Sequence, residues 1–308
     1  MEIRQLRYFI KTCELGSMGR AASELEVVTS ALSQQISRLE SELSTRLLQR
    51  SPAGVVPTEA GMAFLHHAML ALRNLDNAAQ AAKQARLSGQ VSVGFAPTTA
   101  SVLGLPFQQA MRARYPEIRL HLVEALSGNL AGMLNARRID LGIIFKADAH
   151  RHWHTAPLLE EKLFLIAAPT LAGLAFKEKI FLSELADVPL VLPSATHGLR
   201  ALVDAGFMRA KVTPHIALEV DGLALLMDSV LDGGAASIQP GAATTRHADA
   251  GLRHLEIADE GMGRQNLLAS LSDEDLSPAA RAARVVIADV ARAAVQRGQW
   301  KGARLFQD

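Results

Sequence analysis

Several things are scarce in this chain, and each scarcity excludes something. Cys13 is the only cysteine in 308 residues, which rules out an intrachain disulfide and a cysteine-rich zinc site. Charge of one sign is missing: 32 Lys and Arg stand against 31 Asp and Glu, and the first sixty residues hold seven of each kind. Electrostatics alone therefore give little support to nucleic-acid binding, and a motif must carry that case. Long apolar runs are absent too. The longest, 163–176, contains Pro169 and falls short of the ~18 residues a membrane span requires. Met1 to Arg7 holds no apolar signal core, so a cytoplasmic protein with no membrane partner is the expectation. No Gly-x-Ser-x-Gly elbow, phosphate-binding loop, His-Glu-x-x-His or evident nucleophile–base set occurs. Gly261-Met262-Gly263 lacks the strand–turn–helix setting of a dinucleotide fingerprint. The expectation is no enzyme and no cofactor. The length suffices for roughly two domains at ~150 residues each, and 49% of the residues are apolar, enough for a core in each.

What is present begins at residues 16–61. Leu6, Phe9, Ile10 and Cys13 recur at helical spacing and form one apolar face. Cys13 on that face reads as a small core residue rather than a redox sensor. Gly16-Ser17 stops this helix, and Ser17 can cap the next. Ala21, Ala22 and Leu25 mark a second helix, followed by a turn at Glu26-Val27-Val28. A third helix starts at Thr29 or Ser30, with Leu32, Ile36, Leu39 and Leu43 as its buried stripe. Its other face shows Ser30, Ser33, Gln34, Ser37, Arg38 and Ser41, and Thr29 at the helix start is a further candidate for DNA contact. Short hydroxyls, an amide and an arginine at a helix start suit base edges and phosphates in a major groove. Gln34 is placed to pair with adenine, and Arg38 to hold a phosphate or a guanine. Arg50 opens a wing that ends at Gly54 and is expected to hold a phosphate. An ordinary solvated helix face is the competing reading.

Residues 1 to about 65 resemble the LysR-type transcriptional regulators, and within them the nitrogen-assimilation-control branch. The resemblance rests on Leu6-Arg7-Tyr8-Phe9, Gly16-Ser17, Ala21-Ala22, Ala31 to Ile36, Leu39-Glu40, Leu43, Leu47-Leu48, Arg50 and Thr58 to Gly61. The pattern departs at Thr29-Ser30, where the family usually has Gln-Pro, at Leu48, where it has Phe, and at Ala53, where it has a basic residue. The resemblance implies an all-α winged helix-turn-helix at residues 1–58 that binds double-stranded promoter DNA.

Thr58 can cap a linker helix over 59–87. Leu65, Ala68, Leu72, Leu75, Ala79 and Ala82 recur at alternating steps of three and four, a heptad seam with alanines that allow close approach. A subunit-pairing helix, giving a homodimer or homotetramer, is the expectation that the resemblance supports. A helix lying on its own domain is the alternative. His66-His67 reads as solvated surface.

From Val91 strands alternate with helices, which argues for α/β layers. Strands are expected at Val91–Phe95, Leu120–Glu124, Asp140–Ile144, Phe164–Ala167, Leu190–Leu192, Ile216–Val220 and Ala236–Ile238, and a final helix at Pro278–Gln296. By resemblance, 88–308 is an effector-binding domain of two lobes similar to periplasmic substrate-binding proteins. Lobe I takes 91–161 and 267–308, and lobe II takes 162–266. The chain is expected to cross near Glu161-Lys162 and near Gln265–Leu267. Ala235 and Gln239 depart from the usual glycine and leucine. Ligands in such folds bind at the carboxyl ends of strands. The candidate effector residues are therefore Thr98, Thr99 and Ser101 after the first strand, and Ser194, Thr196, His197 and Arg200 after a later one. Phe145 and Lys146 supply a wall and a charge. Hydroxyls and free N–H groups at a helix start favour an anion, so a carboxylate is the expected effector. Helix capping and surface contacts are the simpler readings of these residues. His150, His152 and His154 alternate, yet no carboxylate or cysteine clusters with them, so a connecting loop is preferred to a metal site.

The functional expectation is a regulator whose promoter binding or bending, and whose contact with RNA polymerase, is set by a small molecule. An effector-independent regulator controlled by its own abundance remains open, as does an architectural DNA-binding protein without a sensor.

Overall fold

The computed structural model describes residues 1–308 apart from 52–53, 84–87, 146–152, 173, 175–176, 196, 272–275 and 307–308, and leaves out the side chains of 50–51, 76–77 and 79–83. The chain divides into two units, 1–89 and 90–308.

The first unit holds α1 (Ile3–Leu15), α2 (Met18–Glu24), α3 (Thr29–Glu42), β1 (Leu48–Ser51), β2 (Gly54–Pro57) and α4 (Glu59–Lys83). Gly16 ends α1 with φ 61°, a left-handed conformation that glycine adopts without steric cost. Ser17 then caps α2 by accepting the Arg20 N–H at 3.4 Å. Glu26 makes the turn into α3 with φ 55°. Leu6, Phe9, Ala21, Ala22, Leu32, Ile36 and Leu39 close one core. Leu43 does not complete the stripe as expected. Helix α3 stops at Glu42, and Leu43, its C-cap, is exposed. The buried position is taken by Glu40, whose carboxylate Oε1 accepts the N–H groups of Leu47 at 2.8 Å and Leu48 at 3.0 Å. A buried carboxylate is tolerable only when bonded in this way. The bonds pin the start of the antiparallel β1–β2 wing to α3. Val55 N–H donates to Gly16 O at 3.0 Å and ties the other wing strand to the end of α1. A Cβ at Gly61 would meet Leu47 O at 2.0 Å, so α4 can pass the wing only with glycine there.

Part of the seam on α4 is committed inside this unit. Ala68 is buried in its core, Leu65 and Leu72 pack against it, and Phe64 meets Phe9 edge-on at 5.4 Å. Leu75 is exposed. The side chains of Ala79 and Ala82 lie outside the described residues.

The second unit holds β3 (Gly89–Phe95), α5 (Pro97–Arg114), β4 (Ile118–Glu124), α6 (Ser127–Asn135), β5 (Leu141–Ile144), β6 (His154–Ala167), β7 (Lys179–Ile180), β8 (Leu190–Leu192), α7 (Gly198–Ala210), β9 (Ile216–Glu219), α8 (Leu223–Leu231), β10 (Ser237–Pro240), β11 (Arg253–Ile257), β12 (Gly263–Ser270), α9 (Pro278–Gln296) and β13 (Ala303–Arg304), with short 3-10 turns at Leu182–Glu184 and Gly241–His247. The main sheet runs β4–β3–β5–β12–β6–β11–β7, and β10 and β13 also pair with β6. Strands β8 and β9 pair in parallel and reach β10 through a Leu190–Ala236 bridge.

Strand β6 is the spine. Residues 154–162 pair antiparallel with β12, and residues 163–167 pair with β10 and β11. Two cores follow, one around β3, β5, α5 and α9, the other around the end of β6 and α7. The outward crossing therefore lies at Lys162–Leu163. The return comes at Met262–Gly263, ahead of the expected 265–267, because Gly263 already pairs with Lys162. Leu163 N–H donates to Met262 O at 3.1 Å, so both crossings are neighbouring rungs of one ladder.

Candidate functional site

On the first unit, the side of α3 opposite Leu32, Ile36 and Leu39 is polar. Thr29, Ser30, Gln34, Ser37 and Arg38 are exposed, and their side chains make no hydrogen bond among the described residues. Ser33 is half-buried and has a partner within the protein. Arg50 lies on β1 opposite Val55, with its side chain outside the described residues. The face is thus a row of hydroxyl, amide and guanidinium groups held in helical register and left open, which is what base edges and phosphates require.

Cys13 in α1 is partly covered. Burial pushes its thiol up to about 12, with Glu14 adding to the rise. It is a poor thiolate at neutral pH.

In the second unit a small cavity of about 30 Å³, partly open to solvent, is lined by Ala96, Pro97, Thr98, Leu126, Ser127, Phe145, Pro193, His197, Leu199, Asp221, Leu223, Leu226, Gln239 and Arg264. The helices α5, α6, α7 and α8 all begin at its wall, at Pro97, Ser127, Gly198 and Leu223. The starts of α5, α6 and α8 have no side-chain cap, so their first N–H groups stay open to a ligand. A helix start carries about half a positive charge, and four of them favour an anion.

Arg264, at the start of β12, is the one arginine on the cavity wall among the described residues. Its guanidinium stacks 3.5 Å from the centre of the Phe145 ring. Nε donates to Glu161 Oε1 at 2.7 Å and Nη2 to Thr98 Oγ1 at 2.7 Å. Nη1 has no partner among the described residues. Glu161 is buried and accepts two further bonds, from Asn266 Nδ2 at 3.1 Å and Trp300 Nε1 at 2.8 Å. This one carboxylate fixes Arg264 in place and satisfies the indole of a buried tryptophan.

His197 caps α7 by accepting the Leu199 N–H at Nδ1, 3.1 Å, which leaves the proton on Nε2. Burial pushes its pKa down, the Arg264 charge pushes it further, and Asp221 opposes both. The ring is therefore neutral at pH 7 and remains a donor. Asp221 is held below the usual carboxylate range by the N–H and hydroxyl of Ser194.

The expected effector residues divide accordingly. Thr98, Phe145 and His197 meet at the cavity. Thr99 is buried behind it, with its hydroxyl 3.4 Å from Asn266 Oδ1. Ser101 lies one turn inside α5, which already begins at Pro97, and its hydroxyl donates back to Pro97 O at 2.9 Å. Ser194 bonds Asp221 rather than facing the space. Arg200 is turned away and committed to Pro193 O, Asp204 and Glu219, all within 2.9 Å. Lys146 and Thr196 lie outside the described residues, as do His150 and His152. Among the described residues no His, Cys, Asp and Glu group suits a metal ion. Sequence reasoning missed Glu161, Asp221, Gln239 and Arg264. The available signal was charge inside apolar strand patterns, Glu161 before Leu163–Ala167 and Arg264 before Leu267–Ala269.

Comparison with known proteins accounts for both units. The model of the bacterial regulatory helix-turn-helix protein, lysR family, matches residues 3–62, and that of the LysR substrate binding domain matches residues 84–292. The nitrogen assimilation regulatory protein nac of Escherichia coli (strain K12) is 32% identical over 306 residues, covering 98% of this chain and 99% of its own. A full-length cysteine-to-aspartate variant of OxyR from Pseudomonas aeruginosa has the same fold, with a TM-score of 0.72 at 22% identity over 95% of this chain and 98% of that one. Full-length CbnR complexed with its target DNA gives 0.56 at 24% identity, over 94% and 100%. These families and the nac relative are transcriptional regulators, not enzymes. No helix among the described residues is long and apolar enough to cross a membrane. The chain belongs to the LysR family of DNA-binding transcriptional regulators, with a helix-turn-helix head and an effector-binding domain.

Proposed function

We propose that this regulator acts in the cytoplasm as a dimer or tetramer, that α3 reads the major groove of promoter DNA, and that a small carboxylate in the cavity of 90–308 sets its contact with DNA and RNA polymerase. The observation that supports the ligand is the meeting of four helix starts with Arg264 at one cavity. Thr98 and His197 add donors, while Phe145, Leu223 and Leu226 supply apolar walls. Pairing through α4 is supported by exposed Met62 and Leu75. Binding to two half-sites is the usual way such a head gains specificity.

The test is thermal melting of the full chain with a panel of aliphatic and aromatic carboxylates, beside DNA binding with and without each acid. A saturable rise in melting temperature is expected, reduced by Thr98→Val with no weakening of DNA binding in the absence of acid. A full panel with no shift overturns the ligand. One observation favours a second reading, regulation without an effector: Glu161 already neutralises Arg264 inside the fold. The same panel decides between them.

A further inference from the structure

The polar groups of the cavity are mostly engaged. Arg264 and Thr98 hold each other, Ser194 holds Asp221, and His197 caps a helix. Gln239 is different. It sits on β10 opposite Phe164 of β6, is 2% exposed, and lines the cavity. Its amide offers one carbonyl and two N–H donors. The only bond it makes among the described residues is from Nε2 to Ser237 Oγ, at 3.4 Å. That partner is its own neighbour on the same face of β10, and the distance is at the long limit of a hydrogen bond. A buried amide left so poorly bonded costs stability, and native proteins rarely keep one without a use.

We propose that Gln239 is a specificity-determining residue, and that the ligand is a small carboxylate bearing a second hydrogen-bonding group, a hydroxyl, amine or amide, that meets this side chain. The inference rests on the cavity being the effector site and goes further by naming the class of effector. The carboxylate lies toward Arg264 and the open helix starts. The second group completes the Gln239 amide. An acid without it leaves the amide unpaired on a surface now closed to water, and such a site discriminates against an analogue lacking the polar group.

Matched acids test this on the full chain by titration calorimetry: butanoate against 2-hydroxybutanoate, 3-hydroxybutanoate and 2-aminobutanoate, and benzoate against 2-hydroxybenzoate and 3-hydroxybenzoate. At least one substituted acid is expected to bind about tenfold tighter than its parent. Gln239→Leu should bring that ratio close to one and leave the parent acid bound as well or better. Parent acids that bind as tightly as every substituted one, or a preference that survives in Gln239→Leu, overturn the role of Gln239 while the cavity stands as a carboxylate site. No binding by any of the acids removes both readings. The unliganded variant supplies a second measurement. Its melting temperature should equal or exceed that of the parent, since an unpaired buried amide has been removed. A clear fall shows that the amide is satisfied in the fold and overturns the proposal.

Discussion

The two candidate sites use polar side chains in opposite ways. On α3, Thr29, Ser30, Gln34, Ser37 and Arg38 make no side-chain bonds among the described residues, and the scaffold beneath them is mostly apolar, with Gln5, Thr12 and Glu40 as its buried polar residues. Around the cavity of the second unit, Arg264, Glu161, Thr98, Asn266 and Trp300 bond mainly to one another. An open row meets a partner that brings its own charge and hydration. A bonded cluster is organised beforehand and leaves few groups free, so those few set selectivity. Substitution should therefore be cheap for folding on α3 and costly in the cluster.

The largest effect is expected at Glu161. Glu161→Ala strands Arg264, Asn266 and Trp300 and should destabilise the second unit by about 3–5 kcal/mol, read in urea as an earlier loss of structure in 90–308. Protection of α1 and α3 against hydrogen exchange should be unchanged. A uniform loss of protection across both units would break the contrast. Next comes Gln34. Gln34→Ala should leave melting within about 0.5 kcal/mol of the parent and reduce discrimination at one base pair by about 1–3 kcal/mol. Selection from random duplexes checks it, and an unaltered sequence preference removes Gln34 from readout.

Acid should act on the second unit through His254. Burial pushes its pKa down to about 4, helped by Lys301, while the Leu252 carbonyl opposes the fall. The fold holds it neutral with Thr244 at 2.8 Å. The unfolded chain takes up a proton near the ordinary value of 6.5. Between these values the unfolded state binds more protons, so stability is intact above 6.5 and lost as pH falls toward 4. Allowing for its partial exposure, the loss is on the order of 1–2 kcal/mol. In His254→Gln that slope should flatten; a slope of equal size in the variant assigns the effect elsewhere. The smallest effect concerns Cys13. With its thiol pushed up to about 12, peroxide treatment should change DNA binding less than about twofold. A large change that disappears in Cys13→Ala would make it a sensor after all.

Legibility in the sequence follows the same division. The head is local: α1, α2, α3 and the wing are consecutive, and each obeys short-range spacing and capping. Leu43 was misplaced, because a carboxylate, Glu40, occupies the last buried turn, and Ser33, expected on the open face, is half-buried. In the second unit the alternation of strand and helix and the limits of α9 could be read directly. Strands β11 and β12 could not, since their pairing with β6 depends on contacts about a hundred residues away. The cavity suffered most. Thr98 and His197 were visible as residues following strands. Arg264, Asp221 and Gln239 come from other segments and meet only in space, and Arg200, which has the right chemistry, is drawn off by Asp204 and Glu219.

The Trp300 bond to Glu161 also bears on how the protein is made. A chain leaves the ribosome in order, and its early domains fold first. Residues 1–89 form a contiguous unit and can fold while the rest is still being translated. The second unit cannot finish. Glu161 emerges more than a hundred residues before Trp300, and until that indole arrives one carboxylate oxygen lacks its donor. A nascent chain thus has a head ready to engage DNA before the part that would govern it is complete.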